Sequence, residues 1–169
     1  WTEYYVTEVR AILTSVVSYL EANREARFVW SELIFLNEWM NDESVPETLK
    51  HSFRKLVLDD RRLEIVNGGY VMHDEAVTHY ASWIGQTILG HDLLRELLLL
   101  SSTSEVSKVT TGYQIDPFGS SSFTPTFLQY AGYEFLLHNR IPQSIKDVMK
   151  NNRGLQFWWQ NHPDKNHDI

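Results

Sequence analysis

The amino-acid sequence predicts an α/β fold, in which crossover helices join the strands of a parallel sheet. Apolar residues recur at three-and-four spacing in several segments, which is typical of helices with one buried face. Short runs rich in β-branched and aromatic residues lie between them and end at turn-forming residues. The two patterns alternate along the chain, and in such sheets functional residues gather at the carboxyl ends of the strands.

The first part of the chain predicts helices and strands in alternation. The helix over 4–22 is predicted by a single apolar stripe, and Phe28–Trp30 is predicted to be a buried strand that ends near Glu32. The remaining elements here are helices over 33–40 and 49–61, a strand over 63–66, a turn at 67–69 and a long helix over 74–100.

The second part of the chain repeats the alternation. The strand over 109–115 stops at Asp116-Pro117, and Gly132 is expected to close the helix that follows this strand. The elements expected after Pro117 are a helix over 124–131, a strand over 133–138, a helix over 143–151 and a fifth strand over 155–159.

Composition excludes several classes of function. The formal charge of −7 over 169 residues, without a basic stripe, makes nucleic acid and anionic membranes poor partners. The chain has no cysteine, which excludes disulfides and thiolate metal sites. The longest apolar run, over 93–100, contains Arg95 and Glu96 and is too short to span a bilayer. Since the chain begins with Trp1, we expect it to be part of a longer product.

Asp116 is the first candidate for chemistry. It lies where a predicted strand gives way to Pro117-Phe118-Gly119, so its carboxylate is expected at a strand's C-terminal end beside an aromatic ring. A carboxylate held in this way can act as a nucleophile or a metal ligand. The alternative is that Asp116 only forms the turn or caps the helix that follows.

Other candidates each have a structural alternative. Asp74-Glu75, after the paired glycines Gly68-Gly69, could be an acid/base pair, but two carboxylates before a helical pattern more often form an N-cap. Arg140 could reach an active-site carboxylate or form only a surface ion pair. Trp158-Trp159 could line a sugar subsite or simply pack in a strand.

Metal-binding motifs are weak in this sequence. No two histidines form a His-Glu-x-x-His pair, and no phosphate-binding glycine motif is present. His162, Asp164, His167 and Asp168 could chelate an ion, but a solvated tail is the commoner state of such a segment.

Several segments together resemble the α-mannosidases of glycoside hydrolase family 38, the group of Golgi mannosidase II and lysosomal α-mannosidase. The resemblance covers nearly the whole chain, and its most specific parts are the Gly-Gly-Tyr-Val-Met-His-Asp-Glu-Ala and Ile-Asp-Pro-Phe-Gly segments. The segments that carry it are Glu3–Tyr5, Phe28–Glu32, Leu63–Ala76, Tyr113–Ser120, Gly132 and Asn139-Arg140.

The resemblance implies a retaining, zinc-dependent exo-α-mannosidase, with residues 1–169 as a portion of the N-terminal catalytic domain, a seven-stranded β/α barrel. It implies that Asp116 is both nucleophile and zinc ligand, that Phe118 lines the −1 sugar site, and that Arg140 lies against the nucleophile and holds it ionised. Phe28–Glu32 and Gly68–Glu75 resemble scaffold. The implied substrates are mannose-containing glycans, as in N-glycan processing in the lumen of the secretory pathway or lysosome.

The chain also departs from the family pattern. The His-x-Asp-x-Gly-Trp segment that supplies two zinc ligands is expected before Glu3, and the acid/base Asp and the last zinc His after Ile169. We therefore expect the isolated 169 residues to be inactive without the remaining segments of the same polypeptide or a companion chain. One alternative is a non-catalytic domain that binds carbohydrate or protein; another is a related barrel hydrolase or deacetylase with different metal ligands.

Overall fold

The computed structural model describes residues 2–101 and 108–159. These residues form two compact units. The first unit contains residues 2–72, 84–101 and 108–109, and the second contains residues 73–83 and 110–159. Each unit contains one pair of parallel strands joined by helices.

The first unit is mainly helical. It begins with α1 (Thr2–Tyr4), which continues through a π-helical segment (Tyr5–Val9) into α2 (Arg10–Ala22). The elements that follow are β1 (Phe28–Trp30), α3 (Leu33–Asn41), α4 (Glu47–Leu58), β2 (Leu63–Ile65) and, from Ile84 onward, α5 (Tyr80–Leu97). β1 and β2 are parallel, with Phe28 opposite Leu63, and α3 and α4 form the crossover between them.

The core of the first unit lies between α2, α3 and α4. The predicted stripe of α2 supplies its buried side chains Leu13, Val17 and Leu20. Trp39 of α3 is fully buried, its ring lies 5.8 Å from that of Phe53, and its indole nitrogen donates a hydrogen bond to Thr14 (3.1 Å). Burial of such large apolar side chains is the main favourable term in the free energy of folding.

The paired glycines after β2 contact helices. The first backbone N–H groups of α3 donate to the carbonyl oxygens of Gly69 (3.3 Å) and Tyr70 (2.9 Å), which satisfies donors that a helix start leaves unpaired. A Cβ atom built on Gly90 of α5 would overlap the carbonyl oxygen of Gly68 and lie 2.6 Å from the nitrogen of Tyr70. The close approach that the glycines permit is therefore to α5 within the first unit.

The second unit carries the other strand pair. Its elements are the first residues of α5, β3 (Thr111–Gln114), α6 (Phe123–Tyr130), β4 (Phe135–His138) and α7 (Gln143–Asn151). β3 and β4 are parallel, Gln114 lies opposite His138, and α6 is the crossover. As predicted, Gly132 closes α6: it lies just past the helix end with a φ of +83°, and the N–H groups of Gly132 and Tyr133 donate to the carbonyl oxygens of Gln129 (3.0 Å) and Leu128 (2.9 Å).

An aromatic cluster forms the core of the second unit. Trp83 is buried and its ring lies 4.1 Å from His73, 5.2 Å from Phe123 and 6.5 Å from Phe127. Phe123 and Phe127 stack at 5.7 Å on one face of α6. The start of α6 is thereby fixed against residues 73–83.

The α/β class and the parallel strand pairs with crossover helices are confirmed, although the strands form two two-stranded sheets. The seven-stranded barrel stays a prediction. In the part of the chain that is described, no helix is both long enough and apolar enough to cross a bilayer.

Three predictions about the elements are wrong. β1 exists, but Phe28 and Val29 are more than a third exposed, since among the described residues only β2 pairs with it. The long helix begins at Tyr80 because His79 caps it: His79 Nδ1 accepts a hydrogen bond from the nitrogen of Ala81 (3.2 Å). Residues 155–159 form a bend followed by irregular chain, with side chains exposed up to Trp158, and not a fifth strand.

We predict that Gly90→Ala destabilises the protein and that Gly85→Ala, in the same helix, does not. The new methyl group at position 90 meets backbone atoms of Gly68–Tyr70, so α5 has to move away at a cost of about 1–3 kcal/mol. A Cβ atom at position 85 meets no atom of the described residues within 4 Å, and alanine there favours the helix by up to about 1 kcal/mol. The measurement is the midpoint of thermal unfolding of both variants, and equal midpoints would contradict the prediction.

Candidate functional site

The ends of β3 and β4 bring Asp116 and Arg140 together. Each residue follows the last residue of its strand by two positions, and those last residues, Gln114 and His138, are opposite each other. Because parallel strands direct their carboxyl ends to the same edge, the two side chains meet there. The guanidinium Nε of Arg140 contacts Asp116 Oδ1 as an ion pair.

The ion pair is open to solvent. The side chains of Asp116 and Arg140 are 51% and 56% exposed. An exposed pair of this kind contributes little to the free energy of unfolding, so the pairing of Asp116 with Arg140 adds little to the stability of the fold. At the start of α6 the nitrogen of Phe123 donates to the Oγ of Ser121 (3.1 Å), so Asp116 does not cap this helix.

Phe118 completes an exposed surface beside the ion pair. Its side chain is 70% exposed, and the guanidinium carbon of Arg140 lies 5.3 Å from the ring centroid, within the range of a cation–π contact. The structure thus brings together all three residues that the sequence indicated, Asp116, Phe118 and Arg140. Together they present a carboxylate, an apolar ring and a cation to the same region of solvent.

Hydrogen bonds from backbone and side-chain groups fix the loop that carries Arg140. The nitrogen of Asn139 donates to the carbonyl of Gln114 (3.1 Å), and its side-chain amide donates to the carbonyl of Ile115 (3.3 Å). Lys146 of α7 donates to the carbonyl of Asn139 (2.9 Å), and His138 Nε2 lies 3.2 Å from the carbonyl oxygen of Arg140. These contacts extend the β3–β4 pairing to the two residues of the ion pair.

The loop that carries Asp116 is held at both ends by residues 73–75. The amide Nε2 of Gln114, which is 3% exposed, lies 3.5 Å from His73 Nε2. At the other end, the carboxylate of Glu75 accepts a hydrogen bond from the nitrogen of Ser121 (2.7 Å). Between them, Gly119 has a φ of +147°, a conformation that a residue with a Cβ rarely adopts.

Burial lowers the pKa of His73 to about 4, from an ordinary value of 6.5. The cause is loss of hydration of the imidazolium ion next to Trp83, which the nearby charge of Asp74 only partly opposes. His73 is therefore neutral near pH 7, and its ring nitrogen meets the amide of Gln114 without a positive charge.

The interpretation of Asp74-Glu75 as a helix cap is wrong. Asp74 Oδ1 accepts from the nitrogen of Ala76 (2.8 Å) in a local turn, while Glu75 reaches Ser121, and α5 starts only at Tyr80. Trp158 is exposed, and Trp159 packs edge-on to His138 at 6.2 Å outside any strand. The tail residues His162, Asp164, His167 and Asp168 lie outside the described residues.

Sequence reasoning missed Glu75 and His73 as neighbours of the Asp116 loop and treated their segment as scaffold. The contact of Glu75 spans 46 positions, and no local pattern around it predicts burial. The signal that identifies Glu75 is its burial, which is unusual for a charged residue and can be seen only in the folded structure.

A carboxylate at the carboxyl ends of parallel strands lies where α/β enzymes carry their active sites. The chain belongs to family 38 of the glycosyl hydrolases: the model of that family's N-terminal domain matches residues 1–167. The family is one of glycoside hydrolases that includes α-mannosidases.

Curated relatives agree with this family. The chain is 41% identical over 170 residues to alpha-mannosidase F of Dictyostelium discoideum, covering 97% of this chain and 16% of the relative. It is 38% identical over 152 residues to the epididymis-specific alpha-mannosidase of Homo sapiens, covering 90% and 14%. Identity to alpha-mannosidase 2 of Rattus norvegicus is 32% over 164 residues, covering 97% and 13%. The chain thus spans less than a fifth of the length of these relatives.

We predict that His73 makes the protein sensitive to acid. The unfolded chain protonates this imidazole near pH 6.5 and the folded protein only near 4, so its contribution to stability is complete above about pH 6.5. It falls as the pH drops towards 4, by roughly 2 kcal/mol at about pH 5.

The measurement compares the free energy of unfolding at about pH 7.5 and about pH 5 in the native protein and in His73→Gln. The difference between the two pH values should be smaller in the variant, even if the variant is less stable throughout. His51→Gln, at an exposed position on α4, is the control and should keep the native difference. An unchanged difference in His73→Gln would contradict the assignment.

Proposed function

We propose that residues 1–169 are a portion of the N-terminal β/α-barrel catalytic domain of a retaining exo-α-mannosidase that removes terminal α-linked mannose from glycans. The observation that carries this proposal is the Asp116–Arg140 pair beside exposed Phe118, at the carboxyl ends of β3 and β4 in a member of family 38. N-glycan processing in the lumen of the secretory pathway, including the Golgi, or of the lysosome is the setting we propose with it.

Asp116 is the proposed nucleophile. Its oxygen attacks the anomeric carbon of mannose as the bond from that carbon to the leaving oxygen breaks, and the leaving oxygen takes a proton from a second carboxylic acid. Water, deprotonated by that second carboxyl group, then displaces Asp116 and releases mannose. The two displacements retain the configuration at the anomeric carbon. We assign the second carboxyl group to no residue of this chain.

Arg140 and Phe118 support this chemistry by their positions. Arg140 pairs with Asp116 Oδ1, which leaves Oδ2 for the attack. Phe118 offers an apolar face next to the carboxylate, on which a sugar ring can lie. Both are proposed substrate-binding residues.

Zinc is the cofactor we propose, with Asp116 as the ligand that this chain contributes. An exposed carboxylate suits zinc, but the described residues contain no group of three or more His, Asp or Glu side chains placed to hold a metal ion. The donor set within these residues is thus incomplete, and further ligands come from other segments of the same polypeptide or a companion chain. When bound, zinc can polarise sugar hydroxyl groups.

We predict that Asp116→Ala abolishes hydrolysis of an aryl α-mannoside by the longest native form of the protein. Loss of a nucleophile lowers kcat by about 1,000-fold or more. Asp92→Ala is the matched control, because Asp92 is also an exposed carboxylate paired with an arginine, Arg95 (2.7 Å). It should keep the native rate, and a zinc chelator should remove the activity of both the native and the control protein.

Two results would contradict the proposal. One is a native protein without Asp116-dependent turnover, and the other is turnover that a chelator leaves unchanged. Retained binding of mannose-containing glycans without turnover would instead support the alternative, a non-catalytic domain that binds carbohydrate, for which exposed Phe118 is equally suited.

We predict that Phe118→Ala weakens substrate binding more than it slows the chemical step. Removing an aromatic contact costs about 0.5–1.5 kcal/mol, so KM should rise roughly threefold to tenfold while kcat changes less. Phe157→Ala is the control, since Phe157 is similarly exposed in the same unit but lies near the end of the described chain. The measurement is KM and kcat of both variants from steady-state kinetics. Equal KM values in the two variants would contradict a role of Phe118 in the sugar site.

A further inference from the structure

Glu75 is a buried carboxylate with a contact to the loop that carries Asp116. Its residue is 7% exposed, and its Oε2 lies 2.7 Å from the nitrogen of Ser121. Burying a carboxylate costs free energy unless hydrogen bonds replace its hydration. A hydrogen bond between an N–H group and a charged acceptor is also stronger than a neutral one. The position of Ser121 is therefore tied to that of Glu75.

The same short segment also reaches the strand before the loop. His73, two residues before Glu75, has its Nε2 3.5 Å from the amide of Gln114, the last residue of β3. Residues 73–75 thus contact the chain on both sides of Asp116. The loop from Ile115 to Ser120 lies between these two anchors, and its residues Asp116 and Phe118 face solvent.

The exposed ion pair with Arg140 is a weak restraint, because solvent screens it. A nucleophile nevertheless has to be held within about 0.5 Å of its productive position, and a misplacement of about 1 Å can cost about 100-fold in rate. The restraint on the backbone of the loop therefore has to come from contacts that water does not weaken. Glu75 to Ser121 is such a contact.

We propose that Glu75 is a positioning residue, which fixes the backbone of the Asp116 loop through the N–H group of Ser121. This inference rests on the proposed role of Asp116 as nucleophile. Glu75 touches no reacting atom in this proposal, and its effect on the reaction passes through the loop.

Three variants of the longest native form separate positioning from stability. Glu75→Ala removes the acceptor. Glu75→Gln keeps an oxygen acceptor of the same reach but removes the charge. Asp74→Ala is the matched control, because among the described residues the side chain of this neighbouring carboxylate accepts a hydrogen bond within its own turn, from the nitrogen of Ala76.

Two quantities are measured. Amide hydrogen exchange is followed on overlapping peptides over residues 117–123, and the difference between peptides that end on either side of Ser121 gives the exchange of its N–H group. Hydrolysis of an aryl α-mannoside, with active sites counted by trapping the glycosyl-enzyme with a fluorinated mannosyl fluoride, gives kcat for each folded site. A role in stability alone changes the number of sites but leaves kcat for each site unaltered.

We expect Glu75→Ala to exchange the Ser121 amide at least about 10-fold faster and to lower kcat for each site about 10- to 100-fold, with KM within about threefold. Glu75→Gln should restore both quantities to within about fivefold of native, and Asp74→Ala should change neither. If Glu75→Ala does not fold, Glu75→Asp replaces it, since its shorter side chain reaches Ser121 only if the loop moves.

Unchanged exchange, unchanged kcat for each site, or a Glu75→Gln variant as impaired as Glu75→Ala each overturn the positioning role. The comparison is made only when the native protein shows Asp116-dependent turnover, so each of these three results leaves the proposed function intact. A native protein without such turnover overturns the proposed function and the positioning role together.

Discussion

Parallel pairing of β3 with β4 is the constraint on which the candidate site depends. Asp116 and Arg140 are 24 positions apart in the sequence, and they meet because Gln114 and His138 are opposite each other. A slip of one residue would move one strand end by about 3.3 Å and turn its side chains to the other face of the sheet. The bonds of Asn139 to Gln114 and Ile115 continue the pairing beyond the strands and hold this register up to the ion pair.

Buried polar groups impose the second constraint, on the loop itself. Gln114 and Glu75 are both nearly inaccessible to water, so each needs a partner within the protein. The partners are His73 and the nitrogen of Ser121, and few backbone arrangements satisfy both at once. Such contacts specify one loop conformation at some cost in stability, which apolar packing of Trp83 on Phe123 offsets.

Much of the secondary structure could be predicted from the sequence because it depends on local periodicity. The stripe of α2, the crossover helices and four short strands all follow from it. The exposure of Phe28 could not be predicted, since burial depends on which segment covers a strand. The start of α5 could not be predicted from the helical pattern either, because the side chains of Asp74 and His79 accept hydrogen bonds from backbone nitrogens two residues on, and in this way compete with the helix. Leu155–Trp159 has strand-like composition but no strand beside it among the described residues.

The residues of the site also divide into those that the local sequence predicts and those that depend on the complete fold. Asp116 and Phe118 lie two and four residues after β3, and Arg140 lies two residues after β4, so local sequence marks all three. Glu75 carries no such mark, since its contact with Ser121 depends on the complete packing of the second unit. The exposure of the two carboxylates differs accordingly: 51% of the Asp116 side chain and only 7% of Glu75 is accessible. A carboxylate that meets a ligand has to stay open to solvent, where its own contacts are weak. A buried carboxylate keeps a strong hydrogen bond but cannot reach a ligand. A loop that has to be both open to a ligand and fixed in position therefore needs an exposed carboxylate, such as Asp116, and a buried one, such as Glu75.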